Sequence, residues 1–254
     1  MSTSSPGVAV VVGGASGIGL ASARRLRASG FDLVIADIND EAAGTVAAEL
    51  DGRAIHLDVT DEGSVTTGFA GIEDLRAVVN CAGLSIPGAI TELELAGWQT
   101  TVDICLTGSF LVLKHAGRHI ADGGSITMIA SLNGRQPGTG MAAYCAAKAG
   151  VLMLVEVAAL ELAERGVRVN AVSPGLVQTP LTEPLSFIPG LTEEYLENTP
   201  LGRVGQPDDV AATVAFLASA DAGWMTGAAI DLNGGAHLQR YPDILGKVRA
   251  LAQP

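Results

Sequence analysis

The chain of 254 residues contains 32 glycines, 48% apolar and 17% charged residues, and its 15 Lys and Arg against 27 Asp and Glu give a net charge of −12. This apolar content excludes a disordered polyampholyte, and the acidic balance argues against nucleic acid or anionic lipid as a partner. The three cysteines lack CxxC spacing, so we expect a reducing, cytoplasmic location, no disulfide framework and no metal site.

Apolar, β-branched runs alternate with helical stretches along the chain. We predict strands at 8–12, 32–36, 54–58, 77–80, 125–129, 167–172 and 228–232. We predict helices at 18–29, 40–50, 61–70, 96–119, 142–165 and 207–218. Most strand runs are apolar without alternation, which is typical of strands buried on both faces of a parallel sheet. The pattern predicts an α/β fold, a doubly wound sheet of seven parallel strands with helices on both faces.

No linker or change of composition divides the chain, so we expect residues 1–254 to form a single domain. The segment 181–206 contains three prolines and no strand pattern, and we interpret it as a flap over the substrate. Residues 236–254 form a C-terminal extension. Glycines interrupt the uncharged stretches well short of a membrane span, so we expect a soluble protein.

A glycine-rich loop joins the first predicted strand to the first predicted helix. It reads GGASGIG, with Gly13, Gly17 and Gly19 around Ser16 and Ile18. A diphosphate needs backbone N–H groups that point at it and no Cβ in the way, and a helix N-terminus provides both. In its βαβ context the loop predicts a dinucleotide site, with a simple strand-to-helix turn as the alternative.

The second predicted strand leads into Asp37, 18 residues beyond Gly19. A carboxylate at this place accepts hydrogen bonds from the adenosine ribose hydroxyls and repels a 2′-phosphate. The loop has Ser16 where an arginine could have neutralised that phosphate. We therefore predict NAD rather than NADP, with capping of the next helix as the alternative role of Asp37.

Tyr144 and Lys148 lie four residues apart at the start of a predicted helix, so both project from one face. A nearby ammonium favours the phenolate and lowers the pKa of a tyrosine. Ser131 follows the fifth predicted strand and offers a hydroxyl to hold a substrate oxygen. These residues predict an acid/base pair with a positioning serine, although a Tyr-x3-Lys pair alone is common on surface helices.

Together these motifs resemble those of the short-chain dehydrogenase/reductases, over essentially the full chain. The residues that match in order and spacing are Gly13-x3-Gly17-x-Gly19, Asp58-Val59, Asn80-x-Ala82-Gly83, Ser131, Tyr144-x3-Lys148 and Pro174-Gly175. Further matching stretches are RVNAVSPG at 168–175, PLGRVGQPDDVA at 200–211 and TGAAIDLNGG at 226–235.

The resemblance implies a single dinucleotide-binding and catalytic domain and a homotetramer built through the helices at 96–119 and 142–165. It implies that Asp58 and Val59 hold the adenine. It also implies that further residues line the cofactor cleft, namely Asn80, Ala82, Gly83, Lys148, Pro174, Gly175, Val177 and Thr179. In this interpretation Ser131 positions the substrate, Tyr144 exchanges the proton, and Lys148 tunes Tyr144 and binds the nicotinamide ribose.

Three positions depart from the family pattern. Val12 replaces a threonine before the first glycine, Cys81 replaces the second asparagine of Asn-Asn-Ala-Gly, and Cys105 stands where an asparagine usually supports a water-linked proton relay. A thiol cannot copy the bonding of an amide. We expect slower proton transfer, with the backbone carbonyl at 105 still able to hold the relay water, and Cys105 either a buried hydrophobe or a redox-sensitive thiol.

The sequence thus predicts an NAD-dependent oxidoreductase that interconverts a secondary alcohol and a ketone. A 3-oxoacyl-thioester reductase acting on acyl carrier protein and a catalytically weakened NAD(H) sensor are the alternatives. No lysine or arginine clamp stands among the candidate pocket residues, so a neutral substrate is favoured. Those residues are Leu84, Ser85, Leu132, Asn133, Gln136, Met141, Leu176, Leu181 and Phe187.

Overall fold

The computed structural model describes residues 6–251. Its strands form one parallel sheet in the order β3-β2-β1-β4-β5-β6-β7. The strands are Val8–Val12 (β1), Asp32–Asp37 (β2), Arg53–His56 (β3), Leu75–Asn80 (β4), Ser125–Ile129 (β5), Arg168–Pro174 (β6) and Ala229–Leu232 (β7). The α/β, doubly wound fold class predicted from the sequence is confirmed.

The helices cover both faces of the sheet. They are Gly17–Ala28 (α1), Asp40–Glu49 (α2), Glu62–Phe69 (α3), Leu95–Val102 (α4), Gly108–His119 (α5), Ala142–Leu162 (α6), Leu191–Glu197 (α7), Pro207–Ala218 (α8) and Ile244–Leu251 (α9). Because successive side chains of a strand point to opposite faces, β1 places Val10 and Val12 in one core cluster and Ala9 and Val11 in the other. The first cluster includes residues of α3, α5 and α6, and the second includes residues of α1, α2 and α8.

Two of the differences between the predicted elements and the structure bear on the site. The predicted helix 96–119 is helical throughout but contains a π-helical turn at Asp103–Thr107 between α4 and α5, where the Ser109 hydroxyl donates to the Cys105 carbonyl at 2.7 Å. The third strand ends at His56 rather than at residue 58. It ends early because the Asp58 carboxylate accepts hydrogen bonds from the backbone N–H and the hydroxyl of Thr60, which turns the chain.

The segments expected to be a flap and an extension pack on each other. The flap contains a 3₁₀ helix at Glu183–Phe187 and α7, and the extension contains α9. Leu191 and Tyr195 of the flap share a small core with Ile244 of the extension. Residues 252–254 of the predicted extension lie outside the described residues.

The helical stretch Ala142–Arg165, which contains α6, is long and apolar enough to span a membrane by length and composition. Val151, Val155 and Ala159 of this stretch are buried in the core beside the sheet. Part of its apolar character is therefore explained by packing inside the protein.

Candidate active site

The glycine-rich loop lies between the end of β1 and the start of α1. Gly13 has φ +70°, a conformation that L side chains rarely adopt, and a β-carbon there would lie 3.0 Å from the backbone nitrogen of Ala82. A β-carbon on Gly19 would overlap the carbonyl oxygen of Gly13. The loop therefore requires glycine at both positions, and it leaves the N-terminus of α1 open to an anion.

Asp37 lies at the end of β2 beside this loop. Its carboxylate accepts hydrogen bonds from the backbone N–H of Ala15 at 3.0 Å and of Asn39 at 3.0 Å. Helix α2 is capped by the side chain of Asn39, which accepts from the N–H of Ala42 at 3.0 Å. Asn39 therefore supplies the side-chain cap of α2, while the Asp37 carboxylate binds the N–H of that cap residue and also lies beside the nucleotide loop.

The chain segment after β4 forms the opposite wall of the cleft. The buried Asn80 side chain accepts from the N–H of Ala82 at 3.2 Å and donates to the Ser109 hydroxyl at 3.3 Å. A β-carbon on Gly83 would lie 3.6 Å from the Lys148 ammonium and 3.7 Å from the Cys105 sulfur. The segment thus passes close to Lys148.

Ser131, Tyr144 and Lys148 come together where β5 ends and α6 begins. Lys148 is buried, donates to the carbonyl of Ile129 at 2.8 Å, and holds its ammonium 5.6 Å from the centre of the Tyr144 ring. The Tyr144 hydroxyl is hydrogen-bonded to Ser131. The Ser131 oxygen accepts from the N–H of Asn133 at 3.1 Å. The three predicted catalytic residues therefore share one site.

The protonation equilibria of this site are controlled by burial. Burial raises the pKa of Tyr144 above its ordinary value, and the hydrogen bond from Ser131 opposes the shift in part. Burial also lowers the pKa of Lys148. The net shift in the pKa of Tyr144 is therefore upward, opposite to the direction expected from the Lys148 ammonium alone, because desolvation of the phenolate dominates.

The cleft residues line a cavity of about 100 Å³ next to the catalytic residues. Its walls include Ile18, Cys81, Gly83, Ser131, Tyr144, Lys148, Pro174, Gly175, Val177 and Thr179. Asp58 and Val59 lie outside it, after β3. The glycine cradle and the polar groups along this cleft fit a dinucleotide, whose nicotinamide end would lie next to Tyr144 and Lys148.

Cys105 occupies the centre of the π-helical turn and is buried. Its thiol donates to the Leu84 carbonyl at 3.2 Å, and its sulfur accepts from the Leu84 N–H at 3.4 Å. The Cys105 carbonyl accepts from the Ser109 hydroxyl at 2.7 Å. Burial raises the pKa of the neighbouring Cys81 to about 12, so that thiol stays protonated. Cys105 thus ties the turn to the segment after β4.

A second cavity of about 340 Å³ adjoins Ser131 and Tyr144. Six of the candidate pocket residues line it, namely Ser85, Leu132, Asn133, Met141, Leu176 and Leu181. Phe187 was wrongly expected there, since it is 76% exposed. Arg135 is the cation that follows these residues most closely in sequence, and it does not line the cavity. It pairs instead with Asp231 at 3.0 Å.

Sequence reasoning missed the part of this wall that comes from the flap and the extension. Tyr195 from α7, Tyr241 before α9, and Ile244 and Val248 from α9 all line the cavity. A signal was available, because the chain has only three tyrosines and two of them stand in these segments. The extension therefore forms part of the pocket wall in the same chain.

Comparisons with known proteins show the family of the chain. A family model described as enoyl-(acyl carrier protein) reductase matches residues 13–237. The chain is 38% identical over 239 residues to 2,5-dichloro-2,5-cyclohexadiene-1,4-diol dehydrogenase LinX of Sphingobium indicum, covering 90% of this chain and 95% of that protein. It is 40% identical to cis-4-hydroxycyclohexanecarboxylate dehydrogenase of Sinomonas cyclohexanicum, with coverage of 90% and 95%. A solved short-chain type dehydrogenase/reductase from Mycobacterium ulcerans superposes with a TM-score of 0.93 at 33% identity, covering 97% of this chain and 95% of that one.

Replacing Gly19 by alanine tests the nucleotide loop. We expect Gly19→Ala to weaken NADH binding at least about tenfold, because the new β-carbon displaces the Gly13 carbonyl and with it the backbone N–H groups of the loop. Gly44→Ala is the matched control, since a β-carbon on this α2 glycine meets nothing within 4 Å. The measurement is a fluorescence titration with NADH. Equal affinity of the two variants would place the diphosphate elsewhere.

Proposed function

Because the chain belongs to the short-chain dehydrogenase/reductase family, we propose that NAD is its cofactor and that Ser131, Tyr144 and Lys148 are its catalytic residues. The protein is an oxidoreductase that acts on CH–OH donors and interconverts a secondary alcohol and a ketone. One observation supports this proposal most strongly. Ser131 and Tyr144 line both cavities, the one beside the glycine loop and the apolar one, and Lys148 lines the first.

When bound, the nicotinamide supplies a hydride acceptor for oxidation and a hydride donor for reduction. The Ser131 oxygen accepts from the N–H of Asn133, so its own O–H, which reaches Tyr144 in this structure, is the group that would turn to the substrate oxygen. Tyr144 takes the hydroxyl proton during oxidation and returns it during reduction. The Ile129 carbonyl uses one N–H of Lys148, so two remain for the nicotinamide ribose and a relay water.

The substrate we propose is a neutral alicyclic alcohol. No charged side chain lines the cavity beside Ser131 among the residues that the structure describes. Branched aliphatic side chains such as Leu176, Leu185 and Ile188 supply most of its surface. Two relatives are named for dehydrogenation of six-membered-ring alcohols. A 3-oxoacyl-thioester substrate is disfavoured because reductases for it usually take NADPH, which the Asp37 carboxylate would repel.

Replacing Tyr144 by phenylalanine tests the proton-transfer role. We expect Tyr144→Phe to abolish turnover of cyclohexanol with NAD while NADH binding survives, because the ring packing is kept and the hydroxyl is lost. In the unsubstituted protein we expect kcat for oxidation to keep rising with pH beyond about pH 10, the ordinary pKa of a tyrosine, since burial raises the pKa of Tyr144 and the reaction needs the phenolate. Ketone reduction, which needs the phenol, should change little. NADH binding without turnover in the unsubstituted protein would instead favour the sensor alternative.

Replacing Asp37 by asparagine tests the choice of cofactor. Asp37→Asn keeps an oxygen to accept from Ala15 but removes the charge, so we expect the NAD-to-NADP ratio of kcat/KM to fall roughly 10- to 100-fold. Asp32→Asn removes the same charge at the opposite end of β2 and is the control. An unchanged ratio in Asp37→Asn would refute the assignment.

We also propose a cytoplasmic homotetramer that buries the outer face of α5 and α6. Phe110, Met153, Val157 and Leu160 are between 42% and 79% exposed on these helices, and such a patch marks an interaction surface. A symmetric contact pairs the same residues of two copies.

Introducing a charge on this face tests the assembly. We expect Leu160→Glu to reduce the assembly to smaller species, because an isologous contact would bring two carboxylates together in an apolar interface. The measurement is light scattering coupled to size-exclusion chromatography. The control is Leu238→Glu, because Leu238 is 72% exposed, close to the 79% of Leu160, but lies outside these helices. A monomeric unsubstituted protein would overturn the proposal.

A further inference from the structure

A chain of hydrogen bonds leads from the catalytic serine to the far wall of the apolar cavity. The Ser131 oxygen accepts from the backbone N–H of Asn133. The side-chain oxygen of Asn133 accepts from the Tyr241 hydroxyl at 3.1 Å, and the Tyr241 and Tyr195 hydroxyls lie 2.9 Å apart. Apolar side chains surround the two phenols. Burying a hydroxyl in such a place costs free energy unless it is hydrogen-bonded, and here the two phenols and Asn133 satisfy one another.

The direction of each hydrogen bond in this chain follows from chemistry. The amide nitrogen of Asn133 donates to the Gln136 carbonyl at 3.1 Å, which fixes the amide so that its oxygen faces Tyr241. An amide oxygen only accepts, so Tyr241 donates to Asn133. The proton of the Tyr241 hydroxyl is then committed, and the Tyr195 hydroxyl must donate to Tyr241.

The hydroxyl oxygen of Tyr195 is therefore left to accept a hydrogen bond from a molecule in the cavity. Its proton is directed at Tyr241, and no other donor reaches its oxygen within residues 6–251. Burial raises the pKa of both phenols, so the pair stays neutral. A substrate hydroxyl, which donates, satisfies the Tyr195 oxygen, whereas a carbonyl or a carboxylate does not.

We propose that Tyr195 is a specificity-determining residue and that the substrate is a compact, neutral diol. One carbinol is oxidised at Tyr144, and the second hydroxyl donates to Tyr195. The inference rests on the proposed alcohol oxidation at Tyr144. The cavity of about 340 Å³ lies at the small end of ligand pockets, which favours a compact molecule.

Cyclohexanol and the cyclohexane-1,2-, 1,3- and 1,4-diols test the inference, because the rigid ring carries the second hydroxyl to different distances. We expect the unsubstituted protein to favour at least one diol over cyclohexanol about tenfold in kcat/KM, the size of one net hydrogen bond. Tyr195→Phe should lower that diol-to-cyclohexanol ratio about tenfold. Val248→Ala, which trims the same wall without removing a hydroxyl, should leave the ratio unchanged.

Tyr241→Phe gives a second prediction of opposite sign. Without Tyr241 to accept it, the Tyr195 proton is free to donate to the cavity. We therefore expect Tyr241→Phe to favour oxidation of the hydroxyketone over oxidation of the diol with the same ring positions. The measured quantity is the ratio of the two kcat/KM values, and it should rise in the variant. Using ratios removes any general loss of rate that follows from disturbing Asn133 and Ser131.

Binding separates this inference from the proposed reaction. In Tyr144→Phe loaded with NAD, calorimetry should find the preferred diol bound about tenfold more tightly than cyclohexanol, and adding Tyr195→Phe should remove the difference. Turnover of cyclohexanol without any preference for a diol would overturn the role of Tyr195 and leave the reaction intact. Absence of all turnover together with diol-selective binding would overturn the reaction and keep the role of Tyr195. Equal binding of diol and cyclohexanol would overturn the inference.

Discussion

The site depends on one topological constraint, the reversal of strand order between β1 and β4. All strands of the sheet are parallel, so their carboxyl ends meet at a single edge. At the reversal, the connections leave β1 and β4 in opposite directions, and a crevice opens between them. The glycine loop after β1, Asn80 at the end of β4 and Ser131 after β5 all lie along this edge. Residues far apart in sequence therefore share one site.

Within that crevice the main-chain carbonyl of Ile129 fixes the position of a buried cation. It binds the ammonium of Lys148, a buried cation that would otherwise be costly to hold. The ammonium thereby lies beside the Tyr144 ring and close to Gly83. Burial raises the pKa of the phenol, so its phenolate is costly to form in this place, and the hydrogen bond from Ser131 offsets part of that cost.

Much of this arrangement could be predicted from the sequence, and the failures have physical causes. The apolar runs predicted where along the chain the seven strands lie. The glycine loop, Asp37 and the residues Ser131, Tyr144 and Lys148 could be picked out because each stands in a recognisable local pattern. The wall formed by Tyr195 and Tyr241 was missed: the two tyrosines stand out by residue type, but their meeting arises from a tertiary contact between α7 and the extension, which local pattern does not report. The pKa of Tyr144 was mispredicted because spacing reports proximity to Lys148 but not desolvation.

The same contact between flap and extension also determines the charge around the pocket. Arg240 and Lys247 both face the largely buried Glu194, at 3.0 and 3.4 Å. The Asp243 carboxylate lies near the same two cations, so two carboxylates balance two positive charges, and Glu194 also holds the flap and the extension together. No charged side chain lines the cavity of about 340 Å³ among residues 6–251. The contact between flap and extension therefore has two effects: it supplies Tyr195 and Tyr241 to the pocket wall, and it pairs the charges of these segments with one another.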